Sequence, residues 1–204
     1  MNERSFTNRK NVATNKVPDK RTLILEATQR LLAQTGFHGL SMQMVAKEAG
    51  VAAGTIYRYF ADKNDLLAQL HNHVLQHVAN KISAGLSDSM SLRQRFEKIW
   101  LNTWQMVITN DDQLINRYQF DSLPRNESAE QRIWEKAVFS FLFELFEKGK
   151  EEGIFKELDT EVLVAIGIEP VVHLARKQVK GLIELDNGKR QSAMDACWDS
   201  VIRH

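Results

Sequence analysis

The sequence predicts an all-α fold, and three observations carry the prediction. Apolar residues recur every three or four positions through most of the 204-residue chain, the spacing that lines one face of a helix. Stretches in which Val, Ile or Thr alternate with polar residues, the mark of a half-buried strand, are scarce. Prolines stand only at 18, 124 and 170, so long segments are free of the residue that interrupts helices most strongly.

In chain order, residues 1–18 are rich in Asn and Thr, carry Arg4, Arg9, Lys10 and Lys16, and show no apolar period. They read as a basic arm, either laid along a phosphate backbone or simply solvated. Residues 19–35 predict the first helix, with Leu23, Ile24, Ala27, Leu31 and Leu32 as its apolar stripe and Gly36 as its end. Phe37 is the expected plug of a small core, and His38 a surface turn residue.

Residues 41–63, SMQMVAKEAGVAAGTIYRYFADK, read as two short helices around a tight turn. Ser41 is a helix cap, and Met42, Val45, Ala46 and Ala49 recur at helical spacing. Gly50 supplies the left-handed conformation that the turn needs, and Val51 anchors it. In the second helix Ile56 and Phe60 point inward. Ala53, Gly54, Thr55, Tyr57, Arg58 and Tyr59 then form the other side, small residues beside long hydrogen-bonding ones. Such a surface suits the DNA major groove, because small side chains let the backbone approach and the long ones reach bases or phosphates.

The string AxxAGVxxGTIYRYFxxKxxLL, residues 46–67, resembles the helix-turn-helix signature of the TetR family of bacterial transcription regulators. The likeness covers about the first third of the chain. It implies a three-helix DNA-binding head, a helical effector-binding body, and a dimer that reads a palindromic operator. The candidate DNA-binding residues are Ser41, Gln43, Ala53, Gly54, Thr55, Tyr57, Arg58, Tyr59 and Lys63. Among them Tyr57 and Arg58 are expected to read bases or phosphates, Ala53 and Gly54 to allow close approach, and Thr55, Tyr59 and Lys63 to hold phosphates. Gln43 reaches in from the preceding helix, and Tyr57 and Tyr59 have the alternative of serving as head-core aromatics. The domains expected are the arm at 1–18, the head at 19–79 and the body at 80–204, with about nine helices in all.

Asp62 caps a predicted helix reaching about Gly85, with Leu66, Leu67, Leu70, Val74, Val78 and Ile82 on one side. It runs from head into body, and the resemblance makes it the lever by which an effector moves the heads. His71, His73 and His77 lie along it. Two of them share a face at metal-ligand spacing but no third ligand is near, so no metal is expected. Helices follow at 92–109 and from Asp111 to a stop before Pro124. Residues 127–152, apolar all round, predict a single rod buried on every side. A helix over 160–181 is expected to kink at Pro170, and 189–202 forms the last helix. By the resemblance, the two C-terminal helices pair with their copies in a homodimer.

Trp100, Trp104, Tyr118, Phe120, Phe139 and Phe143 are candidate lining for a small hydrophobic or aromatic effector. Aromatic stripes at this spacing also arise as plain core. Residues 1–63 hold ten basic and five acidic side chains, against seventeen and twenty-one in the remainder, as a DNA-reading end joined to a different body would. No apolar run approaches a membrane span, the N-terminal residues lack a secretory pattern, and the lone Cys197 fits a reducing cytoplasm. No nucleophile elbow, zincin, phosphate-loop or dinucleotide motif occurs, so neither enzyme activity nor a cofactor is expected. The competing functions are a DNA-binding protein governed by a protein partner without a small effector, and a helical carrier that binds no DNA.

Overall fold

The structure, a computed structural model, describes residues 19–109 and 128–204. Among them regular structure is helical, apart from one isolated β-bridge. In the head, α1 (Lys20–Gly39) is capped by Asp19, whose Oδ1 accepts from the Thr22 amide at 2.7 Å. Gly36 interrupts it as predicted, at φ 67°, and one more helical turn follows. The buried stripe is Ile24, Leu25, Ala27, Thr28, Leu31 and Leu32. Leu25 and Thr28 join it while Leu23 sits at its edge, and the Thr28 hydroxyl is satisfied on the Ile24 carbonyl at 2.7 Å.

The next helix, α2 (Met42–Glu48), starts at the Ser41 cap and ends in a Schellman turn. Gly50 stands at φ 66° with its amide on the Lys47 carbonyl at 3.2 Å, and the Val51 amide reaches the Ala46 carbonyl at 2.9 Å. Then comes α3 (Ala53–Ile56), a single helical turn, followed by turn residues to Tyr59. The long α4 (Lys63–Ile82) spans about 30 Å. Leu66, Leu67, Leu70 and Val74 complete the head core with Ile56 and Phe60. Further along, Ala79 and Ile82 are buried toward the body. There the Asn102 amide of α5 (Leu92–Ile108) donates to the Ile82 and Ala84 carbonyls at 3.0 and 2.9 Å, occupying acceptors that the helix end leaves open.

The body continues with α6 (Ala129–Val138), α7 (Ser140–Glu151), α8 (Thr160–Gly167), α9 (Glu169–Val179) and α10 (Asn187–Val201). Its core joins Phe96, Trp100 and Trp104 to Leu145, Phe146, Phe155, Val171, Met194 and Val201. Two expectations are corrected. The rod over 127–152 is two helices, broken at Phe139 (φ −104°, ψ 21°), and α6 has no buried residue, with Ile133 69% exposed. The break falls in the run FSFLF, whose aromatic and Ser residues rank below Ala and Leu in helix propensity, so packing decides its place.

Pro170 does not kink one helix over 160–181. It starts a new one, sitting in the first turn of α9 after a break at Ile168. Its ring nitrogen has no proton for the Ile166 carbonyl. The Ser200 hydroxyl instead lies 3.2 Å from that oxygen and 2.7 Å from the Cys197 carbonyl, one proton shared by two acceptors. The chain end is clasped to the turn after α7: the Lys156 amide donates to the Val201 carbonyl and the Arg203 amide to the Ile154 carbonyl, both at 2.9 Å. Phe155, fully buried there, rests on Gly149, where a Cβ would stand 2.0 Å from its Cδ2.

Candidate nucleic-acid interface

One turn of helix has no stability of its own, so α3 takes its orientation from what it buries. Ile56 and Phe60 are sealed in the head core. With that side fixed, the opposite side must face out. Ala53, Gly54, Tyr57, Arg58 and Tyr59 are all exposed, Tyr57 at 57% and Tyr59 at 39% of its surface. The alternative of head-core tyrosines is thereby removed. A Cβ built on Gly54 meets nothing within 4 Å, so the backbone there is bare. Thr55 is half-buried at the edge.

On α2, Gln43 is exposed beside the Ser41 cap, and Met44 and Lys47 share its exposure. Lys47 was not among the sequence candidates; an exposed cation in the last turn of the first motif helix was the available signal. Lys63, expected on phosphate, is engaged within the head. Its Nζ donates to the Phe37 carbonyl at 2.7 Å and stands 4.5 Å from the Phe37 ring centroid. It therefore straps the start of α4 to the end of α1, and an ammonium keeps further donors beyond that bond.

The candidate effector residues are only partly gathered. Trp100 and Trp104 are buried and stacked, 5.8 Å apart with planes at 5°, and the Arg190 guanidinium covers Trp104 at 5.7 Å. The Trp104 indole N–H finds no acceptor among the described residues, whereas the Trp100 indole is directed at the Cys197 thiol. Phe139 packs at the edge of the same core. Phe143 is half-buried, with Lys136 Nζ 5.5 Å from its ring. Tyr118 and Phe120 lie outside the described residues, as do the arm at 1–18 and the helix expected from Asp111.

Of the α4 histidines, His71 is buried. Burial first, then the neighbouring His77, holds the His73 imidazole below its ordinary pKa. Among the described residues no three His, Cys, Asp or Glu side chains gather as a metal site, and no helix is long and apolar enough to cross a membrane. The stripe of α10 (Met194, Cys197, Val201) is spent inside the subunit. An open groove runs instead along α8 and α9, lined by Ala165, Glu169, Pro170, His173, Leu174 and Lys177.

Comparison with known proteins agrees with this geometry. Residues 24–70 match the family model described as bacterial regulatory proteins, tetR family, and residues 91–202 match a tetracyclin repressor-like C-terminal domain. An HTH-type transcriptional regulator of Haemophilus influenzae is 31% identical over 87% of this chain and 93% of its own. The solved structure of a TetR family protein from Vibrio parahaemolyticus, 45% identical, superposes with a TM-score of 0.84 over 91% of this chain and all of that one. The fatty acid metabolism regulator protein of Bacillus subtilis is 25% identical over 79% of this chain and 78% of its own.

Proposed function

Because the chain belongs to the TetR family and is a DNA-binding transcriptional regulator rather than an enzyme, we propose that it is a homodimeric, effector-controlled repressor of a palindromic operator. The observation that carries the reading is the two-sidedness of residues 53–60: Ile56 and Phe60 sealed, Tyr57, Arg58 and Tyr59 open beside an unobstructed Gly54. Tyr57 and Arg58 read base edges, Ala53 and Gly54 bring the backbone close, and Ser41, Gln43, Thr55 and Tyr59 hold the backbone phosphates. Lys63 braces the head and offers its remaining donors to a phosphate. Two heads related by a dimer axis then meet half-sites about 34 to 36 Å apart.

The two C-terminal helices were expected to pair; with the α10 stripe packed inside the subunit, the dimer surface we assign is the outer side of α8 and α9, which carries the groove at Pro170 and Leu174. Val162, Val179 and Leu182 are exposed on these helices and the turn after them. The effector is a small hydrophobic compound, planar or acyl-chained, held in the body near Trp100, Trp104, Phe139 and Phe143. The buried Trp104 indole donor, without an acceptor among the described residues, supports a ligand that brings one. The name of the Bacillus subtilis relative makes an acyl chain the first form to try. The sealing of Trp100 and Trp104 favours a second reading, control by a protein partner with no small ligand.

The test is selection of duplexes from a random pool, then a gel shift at stated salt with and without acyl and planar compounds. Recovery of a palindrome released by one of them is the expected result. Binding without sequence preference defeats the operator assignment, and a palindrome released by none of the compounds favours the partner-controlled reading.

A further inference from the structure

The reading segment is anchored inward at Ile56 and Phe60 and at its near end by the Val51 turn, so what remains to be held is the end that follows Phe60. Its far end is held by side chains to which the binding surface assigns no role. The Ala61 amide, next after Phe60, donates to Asp65 Oδ2 at 2.8 Å. Gln69 Nε2 donates to the other carboxylate oxygen, Oδ1, at 2.9 Å. Gln69 Oε1 in turn accepts from Arg21 Nε at 3.2 Å and Nη2 at 2.7 Å. The Arg21 guanidinium stands 6.0 Å from the Phe60 ring centroid, which closes a loop back onto the segment.

The direction of every link is fixed by chemistry. Arginine only donates, so the carbonyl end of Gln69 must face Arg21 and its amide end must face Asp65. Asp65 is therefore met by two donors, Gln69 Nε2 and the Ala61 amide, one at each oxygen. An ionised carboxylate has two acceptor oxygens; Asn would turn an NH2 against one of the donors. The chain thus ties three elements together: the start of α1, the end of the reading segment and the first two turns of α4.

We propose that Arg21, Gln69 and Asp65 are positioning residues that set the roll of the reading segment, so that discrimination between DNA sequences depends on Asp65. The proposal rests on the DNA-reading role assigned above. It places an acid on the basic end of the chain, where it opposes phosphate binding, and its removal has different effects on the two kinds of DNA. Sequence-specific affinity falls as the segment loses the hold on its far end. Non-specific affinity, which counts charge alone, holds or rises.

The experiment uses the full chain, the duplex that the wild type recovers from a random pool, and a scrambled duplex of equal length and composition. Affinities for both are measured at one salt concentration for wild type, Asp65→Asn and Gln69→Glu, with melting temperatures alongside. Asp65→Asn is expected to lose about tenfold on the recovered duplex, the loss of one hydrogen bond to a charged group, and nothing on the scrambled one. Gln69→Glu keeps the Arg21 contact but sets a carboxylate against Asp65, and is expected to lose discrimination likewise. Equal affinity of both variants and wild type for the recovered duplex overturns the proposal. So does a parallel loss on both duplexes with a lowered melting temperature, which makes the chain a support of the fold only. If the wild type recovers no preferred duplex, the DNA-reading assignment has failed, and this proposal with it.

Discussion

Replacing Gly54 with Ala sets folding against binding at the centre of the reading surface. A Cβ at this position meets nothing within 4 Å, and the residue sits inside α3, so Ala is accommodated without any neighbour moving. Ala exceeds Gly in helical positions by about 0.5 to 1 kcal/mol, chiefly because Gly gives up more backbone freedom on folding. For a chain of this length that corresponds to a rise of roughly 1 to 4 °C in melting temperature. On DNA the same methyl stands where the backbone must meet the groove. Losing one close base contact costs about 1 to 3 kcal/mol, or roughly fivefold to more than a hundredfold in operator affinity. Fluorescence anisotropy with a labelled operator duplex, run at the salt used for wild type beside a thermal melt, reads both quantities. A raised melting temperature with lowered affinity is the expected pair. If Gly54→Ala and the bulkier Gly54→Leu both fold and both bind the operator as wild type does, the segment does not enter a groove by this side.

Arg58→Ala is expected to weaken operator binding by about 1 to 3 kcal/mol and to relax preference at one base position; equal losses on operator and random DNA would make it a phosphate contact. Gly149→Ala forces a Cβ to within 2.0 Å of the buried Phe155 ring, and overpacking of that kind costs about 1 to 3 kcal/mol, read as a lowered midpoint in urea. Burial holds the His73 pKa below its ordinary 6.5, so the unfolded chain binds this proton first as pH falls and stability drops on the acid side of that value. In His73→Gln, melting temperatures measured from pH 7 to pH 5 should fall less steeply than in wild type, and parallel curves for the two proteins would show that this imidazole does not titrate as described. Pro170→Gly leaves the break between α8 and α9 without the residue that enforces it, and a melting temperature unchanged from wild type would mean that packing at Gly167 alone sets it.

The head was legible because its determinants are local. A Ser cap, a Gly required at positive φ and an apolar residue just beyond it specify the α2 turn within eleven residues, and the structure places each in that role. The exposure of Tyr57 and Arg58 followed from Ile56 and Phe60 pointing the other way. The body was less legible. Apolar residues all round residues 127–152 said that something is buried, but Ile133 and Ala137 face outward and the break at Phe139 is chosen by neighbouring elements. Pro170 was recognised as a disruption, yet a proline in the first turn of a new helix and one at a kink look alike until the following packing is known. The link from Gln69 to Arg21 carried no signal, because its two ends stand 48 residues apart.

The brevity of α3 bears on how such a protein can be re-addressed. The side chains at 53, 54, 57 and 58 lie outside the head core, so exchanging them leaves the packing of Ile56 and Phe60 untouched, whereas the Tyr59 ring leans on Phe60 at 6.4 Å. Target preference can therefore drift by single substitutions, each intermediate still folded. An excised peptide of the same residues would have no shape with which to recognise anything.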